Sequence, residues 1–144
     1  MLAAFLGGLA AGGFLLGPAA DKTERPLRLF AGLEFGVALC GYAAPWVLSH
    51  AGGIPLVTAA AALMGGTLPA LARAVHAEGG VERTVARLYA VNNAGAALGA
   101  LSAGYFLIPR LGLTGASHAL AGAGLLVAVG AALLDNASGP APTA

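Results

Sequence analysis

Few polar side chains interrupt the apolar segments of this chain, and four of them could bind a solute or carry a proton: Glu34, Thr67, Asn92 and Asn93. A lone carboxylate inside a bilayer costs several kcal/mol unless it is paired or protonated, so Glu34 is a candidate proton- or cation-coupling group. The alternative is a carboxylate near the end of its span, ~8 Å from the predicted start at Leu29, bonded to Arg28 or to a neighbouring helix.

The two adjacent asparagines lie about one turn inside an otherwise apolar segment. In a bilayer such amides need partners, so Asn92 and Asn93 face protein, water or a ligand rather than lipid. They could line a polar cavity, or they could hold helices together at about 0.6 kcal/mol per hydrogen bond. Thr67 precedes Pro69 by two residues, and its hydroxyl could bond a carbonyl that the proline frees.

Other reactive residue types show no catalytic arrangement. There is no nucleophile–base pair, and the three histidines fall near span ends without metal-ligand spacing, so we expect them to be solvated. Cys40 is the single cysteine and falls mid-span, which rules out an intrachain disulfide. We therefore expect no enzyme activity, no metal and no cofactor, and the net charge of +1 argues against a nucleic-acid partner.

The composition identifies the class of protein that must position these residues. Of 144 residues, 58% are hydrophobic and 9% are charged, whereas soluble domains have about 25% charged residues. So few charges cannot cover a water-facing surface, and we predict an all-α, polytopic bundle in a lipid bilayer. The 23 glycines lie largely inside apolar runs, where small residues are the usual surface for helix packing.

The apolar runs predict about five transmembrane spans within a domain of residues 1–135, followed by a disordered tail at 136–144. The first run could instead be a secretory signal peptide cleaved near Ala20, but no Lys or Arg precedes it, which weakens that alternative. The predicted spans are 2–18, 29–48, 56–75, 87–109 and 113–134.

Basic residues predict the orientation of the spans. Lys and Arg cluster around the loops after the first and third spans, and the opposite side has only Arg110. Because cytoplasmic loops carry an excess of Lys and Arg, the amino terminus is predicted outside and the carboxyl terminus in the cytoplasm. The residues on the predicted cytoplasmic side are Lys22, Arg25, Arg28, Arg73, Arg83 and Arg87.

Two G-x-x-x-G steps, Gly8/Gly12 and Gly95/Gly99, are typical of helix surfaces that approach another helix closely in lipid. They predict contact with a second copy of the chain or with the helices of another membrane subunit.

Four sequence segments resemble a known membrane family. Residues 17–28 (GPAADKTERPLR) resemble the loop signature between the second and third helices of major facilitator transporters. The remaining segments resemble the facilitator-like transmembrane domain that many bacteria fuse to a spermidine-synthase-like aminopropyltransferase, although the family usually has Thr at the position of Asn93. These segments are 64–73 (MGGTLPALAR), 87–100 (RLYAVNNAGAALGA) and 107–112 (LIPRLG).

The resemblance implies one half of a facilitator fold that lacks its first helix and lacks the synthase domain, in the bacterial inner membrane. It implies a transport-type module that pairs to move a small solute, with a cation or polyamine as the suggested class. In the resembled transporters, charges at the cytoplasmic surface form a gate, and the alternative here is simple anchoring at the membrane surface. The corresponding residues are Asp21, Arg25, Arg73 and Arg87.

The sequence leaves two alternatives to a transport module open. The chain could be a non-transporting anchor or accessory subunit of a larger membrane complex or of a spermidine-synthase-like enzyme, which the sparse inventory of polar groups within the spans favours. It could also be the product of a gene that has lost its first helix.

Overall fold

The computed structural model of the protein describes residues 1–50, 52–75 and 81–138, and these are helical apart from short connections. The predicted all-α class is confirmed. The helices are α1 (Leu2–Lys22), α2 (Pro26–His50), α3 (Ile54–Ala74), α4 (Val81–Ser102) and α5 (Ile108–Ser138), with a π-helical segment (Ala103–Leu107) between the last two.

Prolines and glycines mark the helix boundaries. Pro26 is the first residue of α2, and Pro55 lies in the first turn of α3, where the missing backbone N–H costs nothing. Gly52, with a φ of 75°, lies in the connection between these two helices. Four helices are longer than the predicted spans; α1 continues through Pro18 to Lys22, and α5 continues to Ser138. Helix α4 instead ends at Ser102, before the predicted span end at 109.

Part of the predicted disordered tail is helical. Residues 136–138 belong to α5, and the helix-breaking Gly139–Pro140 pair comes only after them in the sequence. Residues 139–144 lie outside the described part of the chain.

Four helical segments in the described ranges are long and apolar enough to cross a membrane, as in a multi-pass membrane protein. They are Leu2–Lys22, Pro26–His50, Ile54–Ala74 and the 56-residue stretch Glu82–Ala137. That last stretch is broken at Gly112, where φ is 68° and ψ is 177°. Only glycine adopts this backbone conformation without strain.

Three helix–helix contacts arrange the helices in the order α1, α3, α2, α5. The contact between α1 and α3 is close, because Gly8 and Gly12 bring the backbone of α1 against the backbone of α3. A Cβ built on Gly8 would lie 2.5 Å from the Thr58 carbonyl oxygen, and one built on Gly12 would overlap the Ala62 carbonyl. On α3, a Cβ on Gly65 would in turn overlap the Leu9 carbonyl oxygen, so glycine on both helices permits this approach.

The interior is built from small side chains. A cluster of Ala20, Leu33 and Ala70 is packed by larger, partly buried residues from α1, α2 and α3. Apart from Pro26 and several glycines, the other buried apolar residues that the structure describes are all alanines. This composition agrees with membrane helix packing, in which close backbone approach replaces a core of large apolar side chains.

Helix α4 lies at the edge of this arrangement. It contacts α3 only weakly, and most of its residues are exposed. The contact it does make closes one side of the cavity described next.

Candidate functional site

A cavity of about 180 Å³ lies between α2, α3 and α4. Three of its lining residues are polar, one from each helix: Glu34 from α2, Thr67 from α3 and Asn92 from α4. The walls between them are apolar and consist of Phe30, Leu68, Leu71, Leu88 and Val91. The structure thus brings together three of the four residues that the sequence singled out as candidate solute or proton sites.

The three polar residues lie at similar depths from one end of the bundle, where α1 and α3 end and α2 begins, which we call the charged end. Glu34 lies ~12 Å along α2 from Pro26, and Thr67 lies ~11 Å before the end of α3 at Ala74. Asn92 lies ~17 Å from the start of α4. In a hydrocarbon core of ~30 Å these depths reach toward the middle of the bilayer.

The Glu34 carboxylate has no cationic partner in the described part of the chain. The sequence left open an ion pair with Arg28 or with a neighbouring helix, but no Lys, Arg or His nitrogen among the described residues lies within 4.0 Å of it. Glu34 is therefore the one negatively charged group that faces the cavity, and its charge is available to a ligand or a proton.

A hydrogen bond to the backbone orients the Thr67 hydroxyl. The hydroxyl donates to the Met64 carbonyl oxygen at 2.8 Å, so the lone pairs of Oγ1 remain free to accept a hydrogen bond. The sequence suggested that Thr67 satisfies a carbonyl freed by Pro69. Pro69 instead frees the carbonyl of Gly65, four residues before it, and Thr67 bonds the carbonyl one residue earlier.

Asn93 does not line the cavity. Its side chain is exposed, as is that of Asn92, but neighbouring residues on a helix point about 100° apart, so only one of the pair turns toward α2 and α3. The structure therefore separates two residues that the sequence could not distinguish.

The four charged candidates at the membrane surface do not form one cluster. Arg25 pairs with Asp135 at the end of α5, with 3.5 Å between Nη1 and Oδ2. Asp21 and Arg87 are exposed, Arg73 is half-buried, and within the described ranges none of these three has a partner in an ion pair. The gate that the family resemblance suggests stays a prediction.

Asp135 is a residue that the sequence interpretation missed. Its side chain is only 3% exposed, Oδ2 makes no hydrogen bond to a described residue, and the carboxylate forms an ion pair with Arg25. The sequence signal was an acidic residue directly after the apolar run of the last span. Such a residue predicts only the end of the domain, because sequence alone does not show that α5 ends beside the connection between α1 and α2.

The two G-x-x-x-G steps have different surroundings. Gly8 and Gly12 are buried against α3 of the same chain, whereas a Cβ on Gly95 or Gly99 would meet no atom within 4 Å. The first step is therefore used for packing inside the chain. The second remains unoccupied by the described residues and is available to another helix.

The cavity combines one carboxylate, one hydroxyl and one amide with apolar walls at membrane depth. This combination can hold a small ligand that carries a positive charge and some apolar surface, or it can hold a proton on Glu34. In the described ranges, no group of three or more His, Cys, Asp or Glu residues is arranged to hold a metal ion.

Comparison with protein-family models, with curated proteins and with solved structures finds no match to this chain. The resemblance to the facilitator-like domain of spermidine-synthase-like proteins therefore stays a prediction from its sequence motifs.

Proposed function

We propose that this chain is a transport-type membrane module whose solute site is the cavity between α2, α3 and α4. The single observation that carries the proposal is the convergence of Glu34, Thr67 and Asn92 from three helices onto one cavity. Polar groups inside membrane spans are costly, and where they converge they usually mark a solute or ion pathway. The unpaired Glu34 makes a small cation the expected solute.

The module crosses the membrane about five times in this proposal. The 56-residue stretch Glu82–Ala137 would be ~84 Å long as one straight helix, far more than a bilayer requires. The break at Gly112 allows the chain to pass as two spans. The positive-inside pattern supports a cytoplasmic carboxyl terminus and an inner-membrane location.

The proposal includes pairing of two copies through α4. Within the described part of the chain, this helix has few contacts, and its Gly95/Gly99 step meets no neighbour. Such a step permits close helix approach in lipid. Pairing would complete the fourth side of a solute pathway that one copy leaves open.

Uptake into proteoliposomes tests the transport function. We expect the wild-type protein to take up small radiolabelled amines and Glu34→Gln to abolish coupled uptake without changing assembly. Glu24→Gln removes an exposed carboxylate far from the cavity by the same substitution and serves as the matched control. If neither the wild type nor any variant takes up solute, the transport proposal is wrong, and the accessory-subunit alternative takes its place.

Native mass spectrometry of protein extracted gently from its own membranes tests the pairing. We expect a homodimer that is lost in Gly95→Leu and Gly99→Leu, because each adds a bulky side chain where two helices would meet. Gly7→Leu is the control, since Gly7 is also exposed in an apolar helix with no atom within 4 Å of a Cβ. Co-purification with a different membrane chain instead of a second copy would favour the accessory-subunit function.

A further inference from the structure

The cavity offers a ligand only one negative charge. Among the residues that the structure describes, Glu34 is the sole acidic residue in its lining, and the other described lining residues carry no charge. At this depth a second or third ammonium group of a polyamine would lie among apolar side chains or lipid without a counter-charge. Unpaired charges in such surroundings are strongly disfavoured, so the cavity fits a ligand with a single positive charge.

The polar groups of the lining match the donors of a primary ammonium group. The Glu34 carboxylate accepts hydrogen bonds, and Thr67 Oγ1 is left as an acceptor because its hydrogen is donated to Met64. Asn92 can present its amide oxygen as the third acceptor. A primary ammonium has three N–H donors for these three oxygens. A quaternary ammonium has none, and its usual site is a cage of aromatic rings, whereas Phe30 is the one aromatic residue in this lining.

The size and the apolar walls of the cavity determine which non-polar part of a ligand would fit beside the ammonium group. The cavity is open on one side, and its volume of about 180 Å³ suits a small ligand. A bare metal ion would leave most of this volume empty against apolar walls. A short alkyl chain would fill it, because Phe30, Leu68, Leu71, Leu88 and Val91 form the remaining surface.

We propose that the ligand of this cavity is a small primary alkylammonium ion with one charge and a short apolar chain, and not a polyamine. This inference rests on the proposed function only in taking the cavity as the solute site. The ammonium group binds Glu34, Thr67 and Asn92, and the alkyl chain packs against the apolar walls.

Calorimetric titration of the full chain in lipid nanodiscs tests the proposal, with empty nanodiscs as the blank. The probes are n-butylammonium, 1-butanol as its uncharged analogue, tetramethylammonium, spermidine and sodium ion. We expect n-butylammonium to bind at least tenfold more tightly than each of the others. Loss of a hydrogen bond to a charged group predicts about 10- to 100-fold weaker binding of n-butylammonium to Glu34→Gln.

Two further variants keep the test valid if Glu34→Gln fails to fold. Thr67→Val and Asn92→Ala each remove one neutral acceptor, and we expect about 2- to 10-fold weaker binding for each. Glu24→Gln and Asn136→Ala are the matched controls, because both residues are exposed and neither lines the cavity. The controls are expected to bind n-butylammonium as the wild type does.

Several results would overturn the inference, and they differ in what they say about the proposed function. Equal or tighter binding of spermidine, tetramethylammonium or sodium would refute the primary monoamine and leave the cavity as a solute site. Equal binding of 1-butanol, unaffected by Glu34→Gln, would show that the cavity does not recognise charge. If no probe binds to folded protein, the amine proposal is wrong, and uptake of other solutes then decides separately whether the transport function stands.

Discussion

The contact between α1 and α3 predicts that alanine substitutions at two glycines of α1 differ greatly in their effect on stability. In Gly12→Ala the new Cβ would overlap the Ala62 carbonyl oxygen and lie 2.6 Å from the carbonyl carbon of that residue. Carbon atoms normally approach to about 3.5–4.0 Å, so the two helices must separate by about 1 Å. Backbone atoms form the obstacle, and no side-chain rotation can relieve it.

The free-energy cost of Gly12→Ala can be estimated from the van der Waals contacts that this separation of the two helices weakens. A gap of up to ~1 Å forfeits about a quarter to a half of the ~0.1–0.2 kcal/mol that each atom pair contributes. If about 50 atom pairs join the two helices, the loss is about 2–4 kcal/mol, close to the upper range for overpacked interiors. We therefore expect Gly12→Ala to lower the free energy of unfolding by about that amount.

Gly7→Ala is the matched control. A Cβ on Gly7 meets no described atom within 4 Å, and alanine is preferred over glycine in helices by about 0.8–1 kcal/mol. Its stability is expected to equal or slightly exceed that of the wild type. Both variants keep α1 helical, and they differ only in whether the new methyl group contacts α3.

Thermal unfolding in detergent, followed with a thiol-reactive dye, measures the difference. Cys40 is the one cysteine of the chain, so dye labelling reports exposure at a single site on α2. We expect the midpoint for Gly12→Ala to fall by on the order of 10 °C. A midpoint equal to or above that of Gly7→Ala would refute the close α1–α3 contact as the reason for glycine at this position.

Two further predictions concern single positions outside that contact. Arg25→Gln leaves the buried Asp135 carboxylate without its cation and should destabilise the protein by about 1–2 kcal/mol, at the low end for buried pairs because Arg25 is 43% exposed. A double-mutant cycle with Asp135→Asn should recover part of this loss, and strict additivity would contradict the pairing. Gly112→Ala should cost about 1–3 kcal/mol because alanine is strained at a φ of 68°, whereas Gly130→Ala, in regular helix with no atom within 4 Å, should cost nothing measurable.

Composition predicted the all-α class of the protein. With 58% hydrophobic and 9% charged residues, the chain suits a lipid environment, in which the backbone must satisfy its own hydrogen bonds as helices. The cost of polar groups in lipid also made Glu34, Thr67 and Asn92 conspicuous. These conclusions depend on composition and on position along the chain, which need no knowledge of neighbours.

Which of these residues meet depends on how the helices pack, and this could not be predicted from the sequence. Asn92 and Asn93 are equivalent in sequence, and the rotation of α4 against α3 turns Asn92 to the cavity. The Gly8/Gly12 and Gly95/Gly99 steps share one spacing, yet the first is filled by α3 and the second meets no described neighbour. Asp135 pairs with Arg25 across more than one hundred residues of chain. Helical periodicity fixes which residues share a face, but the partner of that face depends on how all the helices pack together.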